Sequence, residues 1–401
     1  MTEKPATTAR VGKNRSISIP VKPAVLVWAR ESLGKSVEET STHLGESEEL
    51  VRQWEAGLKQ PMLNQVRALS RFYKRPLAVF FLPIPPSEPS LPHDFRTMPI
   101  DSEISLSSKT RLAMRQARRL QSIASELRED PEGESFARLR SAKPSDDPEA
   151  LAGKVREDLG ISLKEQFSWK KDSEAMDRWK KSVESLGILV FQMSMPLEDA
   201  RAFSFTEGGL PVIVVNTKDS PKARIFSLLH ELGHILLNEG GICDPGNSSE
   251  DDAFEKRSSI EAFCNFFSGA VLIPKDSLLD HRSVKGKTAS YNWPERTLGT
   301  ISGDFNVSKE VVLRRLLIAG LTTKEFYQKK HNQWAGMEKK KETTKGIKRD
   351  FSKECLQRNG RPLTSLILDS YKNDKITTSD VADYLGIRVK HIPRIEKLLE
   401  A

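Results

Sequence analysis

The chain has 401 residues, of which 37% are hydrophobic and 29% charged, with a formal net charge of +8. This length allows two or three domains, and no run approaches the roughly 18 consecutive apolar residues that a membrane helix needs. The positive charge permits contact with nucleic acid but bears on association, not on fold. Three widely spaced cysteines without a C-x-x-C pair argue against a disulfide framework: Cys243, Cys264 and Cys355.

The N-terminal part predicts a leader and a small helical module. Residues 1–16 are polar and contain no apolar signal-peptide segment, so we expect a disordered leader on a cytoplasmic protein. Residues 17–83 show helical apolar spacing in short stretches, with a break at Gly45 and a stop at Gly57. Ser36 and Ser47 are suited to begin the second and third helices. Short helices joined by a tight glycine-containing turn are typical of a helix-turn-helix unit.

Residues 84–160 are predicted to be a proline-rich connector with helices. Proline recurs between Ile84 and Pro99. The stretches 105–130 and 148–160 are rich in charge and have the pattern of amphipathic surface helices.

A domain of mixed structure is predicted for residues 161–335. Three short apolar runs, at 187–191, 202–205 and 211–216, indicate β-strands. The apolar spacing predicts helices at 221–238, 252–272, 296–303 and 308–319. We therefore expect an α+β domain with a small sheet after the all-α module.

The end of the chain predicts a linker and a small helical module. Residues 336–350 are a basic linker within the positively charged stretch from Lys329 to Arg361. A solvated segment is the expected state, and contact with nucleic acid is the alternative. In residues 351–401, Gly386 separates two short helical stretches, which again resembles a helix-turn-helix pair.

The run from Leu228 to Leu237 contains the spacing H-E-x-x-H. Residues four apart lie on one face of a helix, so His230 and His234 can bind one ion. Zinc suits imidazole nitrogen, and a catalytic zinc takes three protein ligands and a water. Glu231 is placed to take the proton of that water. Apolar residues on both sides indicate a buried helix, whose ionisable groups need a partner such as a metal.

The third metal ligand must come from another part of the chain. Glu261 is an isolated acid in an otherwise apolar helical stretch, where an unpaired carboxylate would be costly. An ion pair with Arg257 is the competing explanation, and Glu239 and Glu255 are rival ligands in more polar surroundings. Manganese or another divalent metal could replace zinc, because selectivity partly follows availability.

Residues 165–320 resemble the ImmA/IrrE family of metallopeptidases. The similarity lies in PVIVVN at 211–216, ARIF at 223–226, HELGH at 230–234, EAFCN at 261–265, LIP at 272–274, VS at 307–308 and LRRL at 313–316. This resemblance implies a zincin-like fold, Glu261 as the third ligand, and a protease that cuts a transcriptional repressor. Phe263 departs from the family pattern, which often has a second acid there, but it is not at the ligand position.

Residues 23–82 are similar to the XRE-type helix-turn-helix, which is often fused to this protease. The similarity lies in WARE at 28–31, WEAG at 54–57, Pro61 and RPLAVFFL at 75–82. It implies a recognition helix at about 47–56, and the candidate DNA contacts are Arg52, Gln53 and Lys59.

The start of this recognition helix opposes DNA binding. It carries Glu46, Glu48 and Glu49, whereas affinity for DNA comes largely from lysine and arginine that neutralise phosphates. A protein-interaction or regulatory module of the same shape is therefore the alternative.

Two classes of function follow. The first is a zinc-dependent endopeptidase that cleaves a protein substrate, such as a repressor, in a regulatory, stress or phage-related response. The second is a DNA-binding regulator whose metal site serves sensing or structure. Glu231 favours the enzyme, since a structural zinc site needs no base and prefers four protein ligands. A toxin-like effector that cleaves a housekeeping protein is a third possibility.

Peptide hydrolysis also needs a group that stabilises the oxyanion. The candidates are His281, Tyr291 and Arg257, among which the sequence does not choose.

Overall fold

The computed structural model describes residues 17–87, 106–128, 139–238, 250–288, 292–337 and 350–400, and only the backbone of 250–258 and 335–337. The predicted leader, most of the proline-rich stretch from Ile84 to Pro99 and most of the basic linker lie outside these residues, as do Glu239, Cys243 and Tyr291. The described residues form two compact units, one of 17–87 with 106–112 and one of 113–400.

The first unit is helical. It contains α1 (Pro23–Glu31), α2 (Val37–Leu44), α3 (Glu48–Glu55), α4 (Leu63–Phe72) and a turn of 3-10 helix at Leu77–Phe81. The side chains of Ser36 and Ser47 accept hydrogen bonds from the third residues of α2 and α3, as the sequence predicts. Gly45 ends α2 with a φ of 68°, which is the break expected there. The core includes Trp54 and Tyr73.

The second unit begins within α5 (Ser108–Leu127), the helix that spans the division between the units. The rest of this unit follows in chain order: α6 (Pro148–Asp158), α7 (Leu163–Ser168), α8 (Asp172–Ser185), β1 (Leu189–Met193), β2 (Ala202–Phe205), β3 (Val212–Asn216), α9 (Pro221–Leu237), α10 (Glu250–Leu272), α11 (Lys275–Leu279), α12 (Glu295–Asp304), α13 (Lys309–Ile318), α14 (Lys324–Met337), α15 (Phe351–Asn359), α16 (Arg361–Lys372), α17 (Thr378–Leu385) and α18 (Ile392–Glu400).

The three predicted strands form one sheet in the order β1-β3-β2. Strand β1 is parallel to β3, and β2 is antiparallel to it. Every residue of the three strands is buried, because the sheet is covered on both faces. Strand β1 begins two residues later than predicted, since Gly187 has a φ of 87° and closes the turn after α8.

Helices α9 and α10 pack closely at Gly233. A methyl group on this glycine would lie 3.1 Å from Cys264 Sγ and 3.2 Å from Phe267 Cδ1. Such distances are shorter than ordinary van der Waals contact, so a residue without a side chain is needed here for the two helices to approach. This approach brings Glu261 of α10 to the face of α9 that carries the histidines.

Within the second unit, the C-terminal helices pack against α8 and β1. The buried Nζ of Lys180 in α8 donates a hydrogen bond to the Gln357 carbonyl oxygen, 2.7 Å away, in α15. Gly360 has a φ of 77°, and a methyl group there would lie 3.0 Å from the Val190 carbonyl oxygen of β1. The end of α15 therefore lies directly against β1.

The predicted fold class is confirmed, with a helical module followed by an α+β unit and further helices at the C-terminal end. In the part of the chain that the structure describes, none of the helices combines the length and apolarity required to span a membrane. The boundaries of the linker and of the C-terminal module stay predictions.

Replacing Gly233 by valine should lower the free energy of unfolding by about 1–3 kcal/mol, because the added methyl groups overpack the contact between α9 and α10. Urea unfolding followed by circular dichroism measures the change. Gly153→Val in α6 is the matched control, since no atom lies within 4 Å of the Cβ position there. Equal stability of the two variants would contradict the close packing.

Candidate metal centre

Helix α9 places the three residues of the H-E-x-x-H motif. The Ser220 side chain accepts a hydrogen bond from the Ala223 backbone N–H, Pro221 occupies the first turn, and Asn238 ends the helix with a φ of 52°. His230, Glu231 and His234 are 1%, 4% and 2% exposed, respectively, so all three are held away from bulk water.

The structure brings His230, His234 and Glu261 together as predicted. The two Nε2 atoms are 3.1 Å apart. Glu261 Oε2 is 3.2 Å from His230 Nε2, and Glu261 Oε1 is 3.1 Å from His234 Nε2. Ligand atoms bound at ~2.0–2.1 Å in a tetrahedral zinc site lie about 3.3–3.4 Å apart. The donor atoms and their spacing therefore fit a single divalent cation.

The histidines and the carboxylate of the cluster also shift one another's pKa values. Burial opposes ionisation of Glu261, but the hydrogen bonds from His230 and His234 outweigh it and hold the pKa of this carboxyl well below its usual range. Burial lowers the pKa of His234, yet contacts with Cys264 and Glu261 outweigh this and raise the pKa above its usual value. The site thus favours an ionised carboxylate beside a positive charge.

Two polar residues that lie near the motif were not predicted from the sequence as site residues. Ser204 of β2 donates a hydrogen bond from Oγ to Glu231 Oε2 at 2.7 Å. Its signal is a single hydroxyl in the strand AFSF, which is otherwise apolar. The thiol of Cys264 lies beside His234 at the contact of α9 and α10, and its burial raises its pKa. Cys264 and Cys355 are both free, as the sequence predicts.

Of the remaining candidates, the structure describes the side chain of His281 alone, and its partners lie outside the cluster. His281 bonds through Nε2 to Asp304, and its Nδ1 accepts the Ser283 backbone N–H. The side chains of Glu255 and Arg257, and all of Glu239 and Tyr291, lie outside the described residues. The roles of these residues as rival ligands or oxyanion donors stay predictions.

In the first unit, the acidic start of α3 engages the candidate DNA contacts. Arg52 donates to Glu48 Oε2 at 2.8 Å, and Gln53 donates to Glu49 Oε1 at 2.9 Å. Lys59 is exposed in the turn after α3. The two partners of each pair lie one turn apart on the exposed face of α3, where such a pair contributes only a few tenths of a kcal/mol, about 0.2–0.5.

The comparison with known families agrees with this geometry. Residues 183–317 match a peptidase family whose model is described as the IrrE N-terminal-like domain. Residues 26–80 match the family described as Helix-turn-helix. Both resemblances drawn from the sequence are thereby confirmed. No curated protein matches the chain.

Replacing Glu261 by glutamine should weaken zinc binding more than the roughly 10- to 100-fold that loss of an outer-shell partner costs. The physical reason is the loss of the only anionic donor in the His230, His234 and Glu261 set. Competition with a chromophoric chelator measures the dissociation constant. Glu157→Gln on the exposed face of α6 should bind zinc as the wild type does. Unchanged affinity of the Glu261 variant would exclude it as a ligand.

Proposed function

We propose that this chain, which joins a helix-turn-helix module to an IrrE-like peptidase domain, is a metal-dependent endopeptidase. His230, His234 and Glu261 would hold one divalent cation, and Glu231 would act as general base. The observation that supports this most is the convergence of two imidazole nitrogens and the two oxygens of one carboxylate, with contacts of 3.1–3.2 Å, beside a further buried acid.

When bound, a divalent cation at these residues would supply a Lewis acid that acidifies water and polarises a peptide carbonyl. Glu231 takes one proton from the attacking water, whose oxygen forms a bond to the carbonyl carbon. We assign this proton to Oε1, since Oε2 already accepts from Ser204. Glu231 then returns the proton to the amide nitrogen as the carbon–nitrogen bond breaks.

Zinc is the metal that we propose. Two imidazole nitrogens and one carboxylate oxygen are the ligand set of catalytic zinc in several hydrolases. Manganese and iron accept the same donors, so the metal present in the cell depends also on availability.

A DNA-binding repressor is the substrate that the domain arrangement favours. A helix-turn-helix module joined to a peptidase could bring the catalytic domain to proteins bound at the same DNA. The substrate class rests on this association and on the family resemblance, while the chemistry rests on the metal centre.

A DNA-binding regulator is the second candidate, supported by the match of residues 26–80 and the exposed Arg52. The metal site would then serve sensing or structure. Glu231 argues against this second candidate, since a structural zinc site prefers four protein ligands and needs no base.

The variant Glu231→Gln should retain its metal and lose proteolysis by about 10²–10⁴-fold, the contribution typical of a general base. Co-expression with repressors encoded beside its gene, followed by mass spectrometry of new fragments, measures cleavage. The variants Glu261→Gln and Glu157→Gln separate metal loss from a nonspecific effect. Full cleavage by the Glu231 variant would refute the mechanism. Cleavage of an unrelated housekeeping protein in place of a repressor would favour the third possibility, a toxin-like effector.

For the regulator, Arg52→Ala should weaken binding to DNA from the promoter of its own gene by about tenfold, the loss expected for one base contact. Fluorescence anisotropy at fixed salt measures the affinity. Arg71→Ala removes the same charge from the exposed surface of α4 and is the matched control. If both variants bound DNA with the same affinity as the wild type, α3 would not be the recognition helix.

A further inference from the structure

A buried hydroxyl from the sheet contacts the residue that we propose as the general base. We infer that Ser204 is a positioning residue for Glu231, which fixes the orientation of its carboxylate toward the reacting water. This inference rests on the proposed endopeptidase function and extends it to a strand that lies outside the H-E-x-x-H motif.

The chemistry of the two groups sets the direction of the hydrogen bond. A hydroxyl has one O–H donor, and an ionised carboxylate can only accept. Ser204 Oγ therefore donates to Glu231 Oε2, at 2.7 Å. A hydrogen bond to a charged acceptor is roughly twice as strong as one between neutral groups. Both side chains are buried, so water does not easily replace the serine.

The serine is carried by a fixed part of the scaffold. Ser204 pairs with Ile213 in the antiparallel ladder of β2 and β3. The next residue of β2, Phe205, is covered by Arg118 of α5, whose guanidinium carbon lies 3.7 Å from the ring centroid. A donor on a rigid strand holds its acceptor more precisely than one on a loop.

The turn after β2 is also held by α5. The Gln121 side chain donates hydrogen bonds to the backbone carbonyl oxygens of Glu207 and Leu210, at 2.8 and 2.7 Å. The strand is thus fixed by its ladder and by α5, and Ser204 approaches Glu231 from a defined direction.

Two other buried serines of this unit make a different kind of contact. Ser302 donates to the Val307 carbonyl oxygen at 2.6 Å, and Ser268 donates to the Cys264 carbonyl oxygen at 2.7 Å. These bonds satisfy backbone groups. The Ser204 hydroxyl instead meets an ionisable side chain, although alanine or valine would satisfy the packing of a buried strand equally well.

The variants Ser204→Ala and Ser204→Thr test the role, with Ser302→Ala as the matched control. In Ser204→Ala we expect kcat to fall about 10- to 100-fold, as for other outer-shell partners, with KM and zinc content unchanged. Ser204→Thr retains the hydroxyl and should recover most of the lost kcat. Ser302→Ala should keep the wild-type kcat. Wild-type kcat in Ser204→Ala, or no recovery in a folded Ser204→Thr, would overturn the inference.

A structural readout keeps this test separate from the proposed function. Crystal structures of the zinc-loaded wild type and Ser204→Ala should show the Glu231 carboxylate rotated or in several orientations in the variant. An unchanged carboxylate would overturn the positioning role. If the metal-loaded wild type cleaves neither repressors nor a mixed peptide library, the endopeptidase proposal fails, and the crystal comparison still decides whether Ser204 orients Glu231.

Discussion

The burial of three ionisable side chains on one helix is the constraint on which the second unit depends. His230, Glu231 and His234 lie in α9 with almost no access to water, where unpaired polar groups cost several kcal/mol, roughly 2–7. Glu261 from α10 meets the two imidazoles, and Ser204 from β2 meets the remaining acid. The cluster thus needs two features of the fold. Gly233 lets α10 approach α9 closely enough to bring in Glu261, and the sheet places Ser204 beside Glu231.

The sequence pointed to the three residues of α9 and to Glu261 of α10, but it did not point to Ser204 of β2. The histidines and Glu231 share one helix, so periodicity alone places them on it, and Glu261 was found because an acid is conspicuous in an apolar stretch. Ser204 was missed because the strand is buried on both faces, which removes the alternation that tells an inward residue from an outward one.

The same limit applies to α5. Its amphipathic helical character was predicted correctly, and its apolar face is buried. The sequence did not show that Gln121 and Arg118 reach the turn after β2, more than 80 residues away in the chain. Such contacts leave no periodic signal in the sequence. In the first unit, by contrast, the caps at Ser36 and Ser47 depend on neighbours within four residues and were predicted in full.

The contact of α15 with β1 has a consequence for the behaviour of the chain in solution. Strand β1 pairs with β3 on one side, and the end of α15 at Gly360 lies against the Val190 carbonyl oxygen. An uncovered strand edge is a template for pairing with another molecule. The C-terminal helices therefore cover the edge of β1 that faces away from β3, and they keep its backbone groups from pairing with another chain.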